Sequence, residues 1–209
     1  LEMYDAQAVQ TLSSCLQRLN EGKGIEPLVA IEGTELPKVI NRLKQFDPLK
    51  NGLSINEIVH LANALIGEHM SATTIQNWTK REVRDIIGVP HRGKKYSINQ
   101  AAIIYLLDDL KHLFSLEETR ELLTIVFQNP NIDEDDLISP LNFYLVYTQH
   151  AETSGPIELT EKRLKRSLER INAYRPETVH VLQLCLYARR VSHLTHEAKQ
   201  RLHHVLQTT

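Results

Sequence analysis

The amino-acid sequence predicts a mainly all-α protein, and two kinds of observation support this fold class. Three capping boxes begin at Ser54, Ser97 and Ser115, and in each the serine stands three residues before a Glu or Gln. Apolar residues recur at helical spacing through most of the 209 residues, and Gly or Pro marks the turns between these segments. We therefore expect helices throughout the chain and little β-structure.

The N-terminal part predicts two helices separated by a loop. Residues 5–20 form an amphipathic pattern. Its apolar stripe consists of Ala8, Leu12, Cys15, Leu16 and Leu19. We interpret residues 21–35 as a loop whose apolar run, residues 28–31, is a candidate for an extended segment packed across the core. Pro37 suits the first turn of a second helix, which continues to Phe46.

Residues 53–123 contain the pattern that indicates a function. The helix that begins after Ser54 is followed by a turn and by a second helix from residue 71 to about residue 82. Ile75 and Trp78 are spaced to face the core, and we expect Trp78 to be a core anchor and not a platform for stacked bases. Hydroxyl and amide side chains flanked by cations are typical of a helix that lies in the major groove of DNA. The second helix carries such a set in Ser71, Thr73, Thr74, Gln76, Asn77, Lys80 and Arg81.

A short basic loop follows this helix at residues 88–96. The chain has a formal net charge of −2, but residues 78–95 hold six cations and two anions, whereas residues 121–161 hold eight acidic residues and no Lys or Arg. The protein is therefore electrically polarised along its sequence. We interpret the loop as a small wing whose cations contact DNA phosphates. These cations are Arg92, Lys94 and Lys95.

Further helices follow the wing. The helix that begins after Ser97 is apolar almost all round through Leu113, so we expect it to be buried at the centre of the fold. Another helix begins after Ser115. Beyond it, Pro140 permits a helix only if that helix begins near Ser139.

The order of these elements resembles the MerR-type winged-helix module. Residues 70–78, Met-Ser-Ala-Thr-Thr-Ile-Gln-Asn-Trp, look like its helix-turn-helix stretch, and Tyr96-Ser97 looks like the pair after its wing. Residues 114–118, Phe-Ser-Leu-Glu-Glu, look like the turn that starts its next helix. The resemblance implies a winged helix-turn-helix, extended here by an N-terminal helix and a C-terminal helical bundle. Residues 36–149 also resemble a family of uncharacterised bacterial proteins that has no established biochemical function.

The C-terminal part predicts three more helices, at residues 160–172, 176–190 and 194–206. Residues 153–156, Thr-Ser-Gly-Pro, are the best candidate for a domain boundary. We therefore divide the chain into residues 1–152, whose module core spans residues 53–128, and residues 153–209. We expect the C-terminal helices to pack back on the N-terminal part.

Other classes of site and compartment are not indicated. The apolar runs are far shorter than the ~20 residues that a membrane span needs, so we expect no membrane partner. No catalytic motif, phosphate-binding glycine loop or metal-ligand spacing stands out, so we expect no enzyme, no cofactor and no metal. Cys15 and Cys185 lie far apart in the sequence and form no CxxC, which fits a reducing compartment, and we expect the protein to be cytoplasmic.

These observations lead us to expect a sequence-specific double-stranded DNA-binding protein, a transcriptional regulator. The alternative is a non-enzymatic protein-interaction module on a winged-helix scaffold, which would use surfaces such as acidic residues 133–136. We expect a homodimer, because such regulators gain affinity by spanning two half-sites. Since no heptad pattern is evident, apolar faces of the C-terminal helices are expected to form the interface, and not a coiled coil. The sequence indicates neither the DNA target nor an effector.

Overall fold

The computed structural model of the protein describes residues 6–29, 42–47, 50–67, 70–129, 135–151 and 157–208. A 3-10 turn covers Arg42–Gln45, and a π-helical turn covers Trp78–Glu82. The α-helices in these ranges are α1 (Ala6–Asn20), α2 (Glu26–Val29), α3 (Ile55–Ile66), α4 (Ala72–Asn77), α5 (Arg84–Ile87), α6 (Ile98–Leu110), α7 (Leu116–Thr124), α8 (Pro140–Gln149), α9 (Ile157–Arg170) and α10 (Pro176–Thr208).

The predicted all-α class is confirmed. Within the described ranges no β-strand forms, and the β-structure consists of two isolated bridges, Leu53 with Tyr96 and Arg92 with Lys95. The loop that was predicted as a wing is therefore a tight turn closed by one bridge. Its strands are absent because only the Arg92 and Lys95 backbones pair across it.

Helix α6 lies at the centre of the fold, as predicted. Every residue from Ile98 to Leu110 is buried except the partly exposed Asn99 and Asp109. It contacts α1, α5, α7, α8 and α10, while α1 packs against α3 and α8. The predicted extension to Leu113 is wrong, because the helix ends at Leu110 and the Leu113 side chain is exposed.

Local capping signals position the helices as the sequence predicts. The hydroxyl oxygens of Ser54, Ser97 and Ser115 each accept a hydrogen bond from the amide three residues on, and the Glu or Gln side chain at that position accepts one from the serine amide. Ser139 caps α8, and Pro140 occupies the first turn, where a missing amide proton costs nothing.

Predictions for the connecting segments have mixed outcomes. Leu28 and Val29 belong to the helical turn α2 and are not extended, while residues 30 and 31 lie outside the described residues. The segment 37–41 of the predicted second helix, residues 133 and 134 of the acidic stretch and the boundary at 153–156 also lie outside them.

The C-terminal part contains two helices and not the three that were predicted. Residues 176–190 and 194–206 belong to one helix, α10, because no Gly or Pro interrupts the backbone hydrogen bonds between them. The apolar pattern of α10 changes after Arg189 because the helix is packed against other helices before this residue and is largely exposed after it. Most of α10 up to Arg189 is buried against α6, α8 and α9, whereas every residue from Val191 to Gln207 is exposed or half-buried. In the described part of the chain no helix is long and apolar enough to cross a membrane.

A buried polar cluster fixes α10 to the core. Nη1 of Arg189 donates to both carboxylate oxygens of Asp109 in α6, at 3.0 and 2.8 Å. The hydroxyl of Tyr147 in α8 donates to the same carboxylate. The charged guanidinium is thus paired and hydrogen-bonded inside the fold, which is what a buried charge requires.

Candidate nucleic-acid interface

One side chain of α3 holds the backbone of the residue that stands two positions before α4. Asn63 in α3 donates from Nδ2 to the carbonyl of Met70 at 2.9 Å and accepts at Oδ1 from the Met70 amide at 3.0 Å. Gly67 ends α3 with a φ of 95°, a conformation that favours glycine. These contacts fix where α4 begins relative to the end of α3.

Helix α4 has a buried side and an exposed polar side. Ile75 and Trp78 are 0 and 3% exposed, so their predicted inward orientation is confirmed. Thr73, Gln76 and Asn77 are exposed, and their spacing of three and four residues places them on one face of the helix. Three polar side chains of different length therefore lie together on an exposed surface.

The predicted helix from residue 71 to 82 is not one regular helix. It changes at Trp78 to a π turn, in which the Val83 amide donates to the Trp78 carbonyl at 3.2 Å. Lys80 and Arg81 lie exposed in this turn. Because a π turn holds more residues than an α turn, these two cations are rotated away from the stripe that α-helical spacing predicts, and π turns are often found at functional sites.

Two residues at the start of α4 are engaged with each other. Ser71 Oγ accepts from the Thr74 amide at 3.2 Å, and the two hydroxyls lie 2.8 Å apart. Ser71 is exposed and Thr74 half-buried. Both side chains therefore serve as the N-terminal cap of the helix, so of the predicted contact residues they have the least freedom to reorient.

The basic loop is anchored at both of its ends. Gln100 donates from Nε2 to the carbonyls of Ile87 and Val89 at 2.9 and 2.6 Å. Leu53 and Tyr96 exchange backbone hydrogen bonds of 2.7 and 2.8 Å, which tie the end of the loop to the start of α3. The loop is thus held between the starts of α3 and α6.

The three predicted loop cations have different surroundings. Lys95 Nζ lies 2.8 Å from Oε2 of Glu57, whose side chain is only 8% exposed, and Arg92 donates from Nη1 to the carbonyl of Lys50 at 2.9 Å. Lys94 is exposed, and in the ranges that the structure covers it has no partner. Sequence reasoning missed these two pairings because Glu57 and Lys50 are 38 and 42 residues away.

The carboxylate of Glu57 is stabilised in its charged form. Burial raises the pKa of this group, but hydrogen bonds from Lys95 and from the backbone and hydroxyl of Ser54 outweigh that effect and leave the pKa below its ordinary value. Glu57 therefore stays ionised at neutral pH, and it joins the cap of α3 to the basic loop.

The chain has relatives without an assigned role. Residues 31–147, more than half of the chain, match the family model described as domain of unknown function DUF1836. The uncharacterized protein YkrK of Bacillus subtilis (strain 168) is 41% identical over 111 residues, which cover 53% of this chain and 48% of that protein. The chain thus spans about half the length of the curated relative that it matches. No solved structure matches it significantly.

Proposed function

The chain belongs to the family of unknown function DUF1836, as its resemblance to an uncharacterised family predicted, and we propose that it is a sequence-specific double-stranded DNA-binding protein. In this proposal it is a non-enzymatic, cytoplasmic transcriptional regulator. Helix α4 enters the major groove, and residues 88–96 act as the wing of a MerR-like winged helix. The proposal specifies neither the DNA target sequence nor an effector.

The exposed polar face of α4 is the observation that supports this proposal. Gln76 and Asn77 are exposed and carry side-chain amides, which can form two hydrogen bonds with one adenine in the major groove. The hydroxyl of Thr73 can hydrogen-bond to donors or acceptors on base edges, and its methyl group can contact the methyl group of thymine. Ile75 and Trp78 hold the opposite side of the helix in the core. A recognition helix needs this combination of a fixed side and a free polar side.

Contacts to phosphates fall to those of the predicted contact cations that have no partner within the described ranges. These are Lys80 and Arg81 in the π turn and Lys94 in the loop. Lys95 and Arg92 hold the loop in place through Glu57 and the Lys50 carbonyl, so in this proposal they act mainly by positioning Lys94. Phosphate contacts of this kind set the position of a protein on the duplex without selecting its sequence.

The predicted homodimer is proposed to form through α10. Six apolar side chains of this helix are between 44 and 68% exposed, namely Leu184, Val191, Leu194, Leu202, Val205 and Leu206. Leu184, Val191 and Val205 are separated by multiples of seven residues. This spacing was not recognised from the sequence because the region was predicted as two separate helices. A repeat of seven is the spacing of a coiled-coil seam, so we revise the predicted interface to paired α10 helices.

The size of this stripe is compatible with self-association. Covering six half-exposed aliphatic side chains on each of two copies removes roughly 1,000 Å² of surface from water, which is near the lower limit for a specific interface. Beside the stripe Glu197 pairs with Arg201, while Arg190 and Lys199 leave this half of the helix with more cations than anions. A dimer would present two α4 helices to two half-sites.

Selection of bound duplexes from a pool of random-sequence DNA tests the proposed function. We expect one motif to be enriched, as two half-sites related by symmetry and spaced by about one helical turn or a multiple of it. Failure to enrich any sequence would contradict the proposal. The result would then favour the alternative, an interaction module that uses the exposed stripe of α10 to bind another protein.

A further inference from the structure

An open cleft lies beside the π turn, between α5, α7 and the start of the basic loop. Its volume is about 480 Å³. The residues that line it are Arg81, Glu82, Arg84, Asp85, Gly88, Val89 and Arg120. Three of the seven are arginines, from three different elements, and only Arg81 was among the residues that the sequence pattern singled out.

Arg120 is held in position on one side of the cleft. Its Nη1 lies 2.9 Å from Oδ2 of Asp85, an ion pair that joins α7 to α5. A guanidinium has five N–H donors in a rigid plane, so this pair leaves several of them free. Asp85 thus orients Arg120 and is itself neutralised.

Arg81 and Arg84 provide the remaining positive charge. Both are exposed, and neither has a partner in the part of the chain that the structure describes. Glu82 is the second carboxylate in the lining. With Asp85 and Arg120 neutralising each other, two arginines stand against Glu82, and the cleft keeps a net charge of +1.

The backbone explains why these arginines converge. The π turn ends at Glu82, Val83 has a non-helical φ of −133°, and α5 begins at Arg84. Gly88 then ends α5 with a φ of 81°, and its amide donates to the Arg84 carbonyl at 2.9 Å. The chain therefore turns around the cleft and presents Arg81 and Arg84 from successive segments.

From this arrangement we propose that the cleft is a phosphate-binding subsite formed by Arg81, Arg84 and Arg120. Planar guanidinium groups bind phosphate oxygens in pairs, and three of them suit a tetrahedral anion that offers several oxygens. The phosphate is either a phosphodiester of the DNA backbone or a phosphomonoester of a small molecule. The inference rests on the proposed function only in the first case.

Two titrations of the full 209-residue chain test the subsite, each with the parent, Arg84→Gln and a control, Arg170→Gln. Arg170 is an exposed arginine of α9, far from the cleft lining in the sequence and with no partner among the described residues. The first titration adds inorganic phosphate at constant ionic strength and follows the amide NMR signals of Gly88 and Val89. The second measures binding of random-sequence duplex DNA at several salt concentrations. Unfolding curves of each variant establish that it is folded.

We expect phosphate to saturate the parent and the Arg170→Gln variant alike, with a Kd on the order of 1 to 10 mM, as a few charge-assisted contacts predict. Arg84→Gln should weaken phosphate binding at least about fivefold, since one of three guanidinium groups is lost. If the phosphate belongs to DNA, Arg84→Gln should also lower the slope of log affinity against log salt by ~0.9. An unchanged slope with weakened phosphate binding supports the small-molecule source.

The subsite is refuted if phosphate leaves the Gly88 and Val89 signals unmoved, or if Arg84→Gln and Arg170→Gln bind phosphate as the parent does. That result does not affect DNA binding by α4. Conversely, a parent that binds no DNA but binds phosphate through Arg84 contradicts the proposed function and supports the subsite. The two proposals can therefore fail separately.

Discussion

Trp78 is the residue that connects the proposed recognition surface to the core. Its side chain is 3% exposed, and Lys111 Nζ lies 5.6 Å above the centre of its ring. The indole thus anchors the point where α4 changes to the π turn. Because Gln76 and Asn77 directly precede this buried side chain in the helix, their positions depend on it.

Replacing Trp78 with alanine should lower the free energy of unfolding by about 3 to 5 kcal/mol, the usual range for a buried aromatic side chain truncated to alanine. Denaturant unfolding measures the change, and Trp78→Phe should cost clearly less because it keeps most of the apolar volume. A Trp78→Ala variant as stable as the parent that no longer bound DNA would show that the indole is a contact residue and not an anchor.

Lys94 and Lys95 are neighbours in sequence with different roles, and alanine variants of the two should separate them. Lys95→Ala leaves the nearly buried Glu57 carboxylate without its cation, so we expect a loss on the order of 1 kcal/mol in the free energy of unfolding at pH 7. Lys94→Ala should change it by less than about 0.5 kcal/mol, as is usual for an exposed side chain.

The loss in Lys95→Ala should depend on pH. The pKa of Glu57 is lowered in the folded protein, so its ionised form contributes stability above the ordinary carboxyl pKa of about 4.3, and this contribution disappears as the pH falls through the folded value. The difference between the unfolding curves of the parent and Lys95→Ala should therefore shrink from pH 7 to pH 3, chiefly below the ordinary carboxyl pKa of about 4.3. A difference that stayed constant over this range would contradict the assigned pair.

At the scale of elements, a buried ion pair joins α10 to α6 in addition to the apolar contacts of this helix. The Arg189 and Asp109 side chains are only 6 and 12% exposed. Arg189→Met leaves the Asp109 charge buried without its cation, so we expect a loss of about 3 to 5 kcal/mol in the free energy of unfolding. Lys199→Met, at an exposed position of the same helix, is the control and should be nearly neutral.

Hydrogen exchange can locate the effect of Arg189→Met. Amides of α9 and α10 should exchange faster relative to those of α3, because the ion pair joins α10 to the core. A stability within about 0.5 kcal/mol of Lys199→Met would mean that the ion pair adds nothing beyond the apolar contacts of α10.

The elements with local signals are those that could be predicted from the sequence. The capping boxes at Ser54, Ser97 and Ser115 and the inward positions of Ile75 and Trp78 follow from residues within one or two helical turns. The continuity of α10 was missed because the helix passes from buried to exposed surroundings, and its apolar pattern changes at that point. Periodicity alone does not distinguish a helix that leaves the core from a helix that ends.

The sequence predicted which residues form the candidate site, but it did not predict how they are arranged and paired. The polar face of α4 follows from helical spacing, but the π turn that redirects Lys80 and Arg81 has no recognisable sequence signal. The partners of Lys95 and Arg92 and the ion pair of Arg120 with Asp85 join residues 35 to 42 positions apart. Such pairs are set by tertiary packing, which a single sequence does not display.

At the scale of the whole molecule, the exposed half of α10 predicts self-association. Sedimentation at tens of micromolar should show a dimer for the parent. Leu194→Glu combined with Leu202→Glu should give a monomer, because it places charges in the centre of the apolar stripe, where both leucines are more than half exposed. Gln200→Glu, on the opposite face of the helix, should remain a dimer. A parent that sediments as a monomer at these concentrations would refute the interface.

Fluorescence anisotropy of the Gln76→Ala variant tests most directly whether α4 is a recognition helix. The enriched duplex and a scrambled duplex are titrated at several salt concentrations with the parent, Gln76→Ala and the control Gln200→Ala. We expect Gln76→Ala to lose about 1 to 3 kcal/mol of preference for the enriched duplex while the salt slope and the control stay at parental values, because an amide selects bases without releasing counterions. If Gln76→Ala kept the full preference of the parent, α4 would not be the element that recognises sequence.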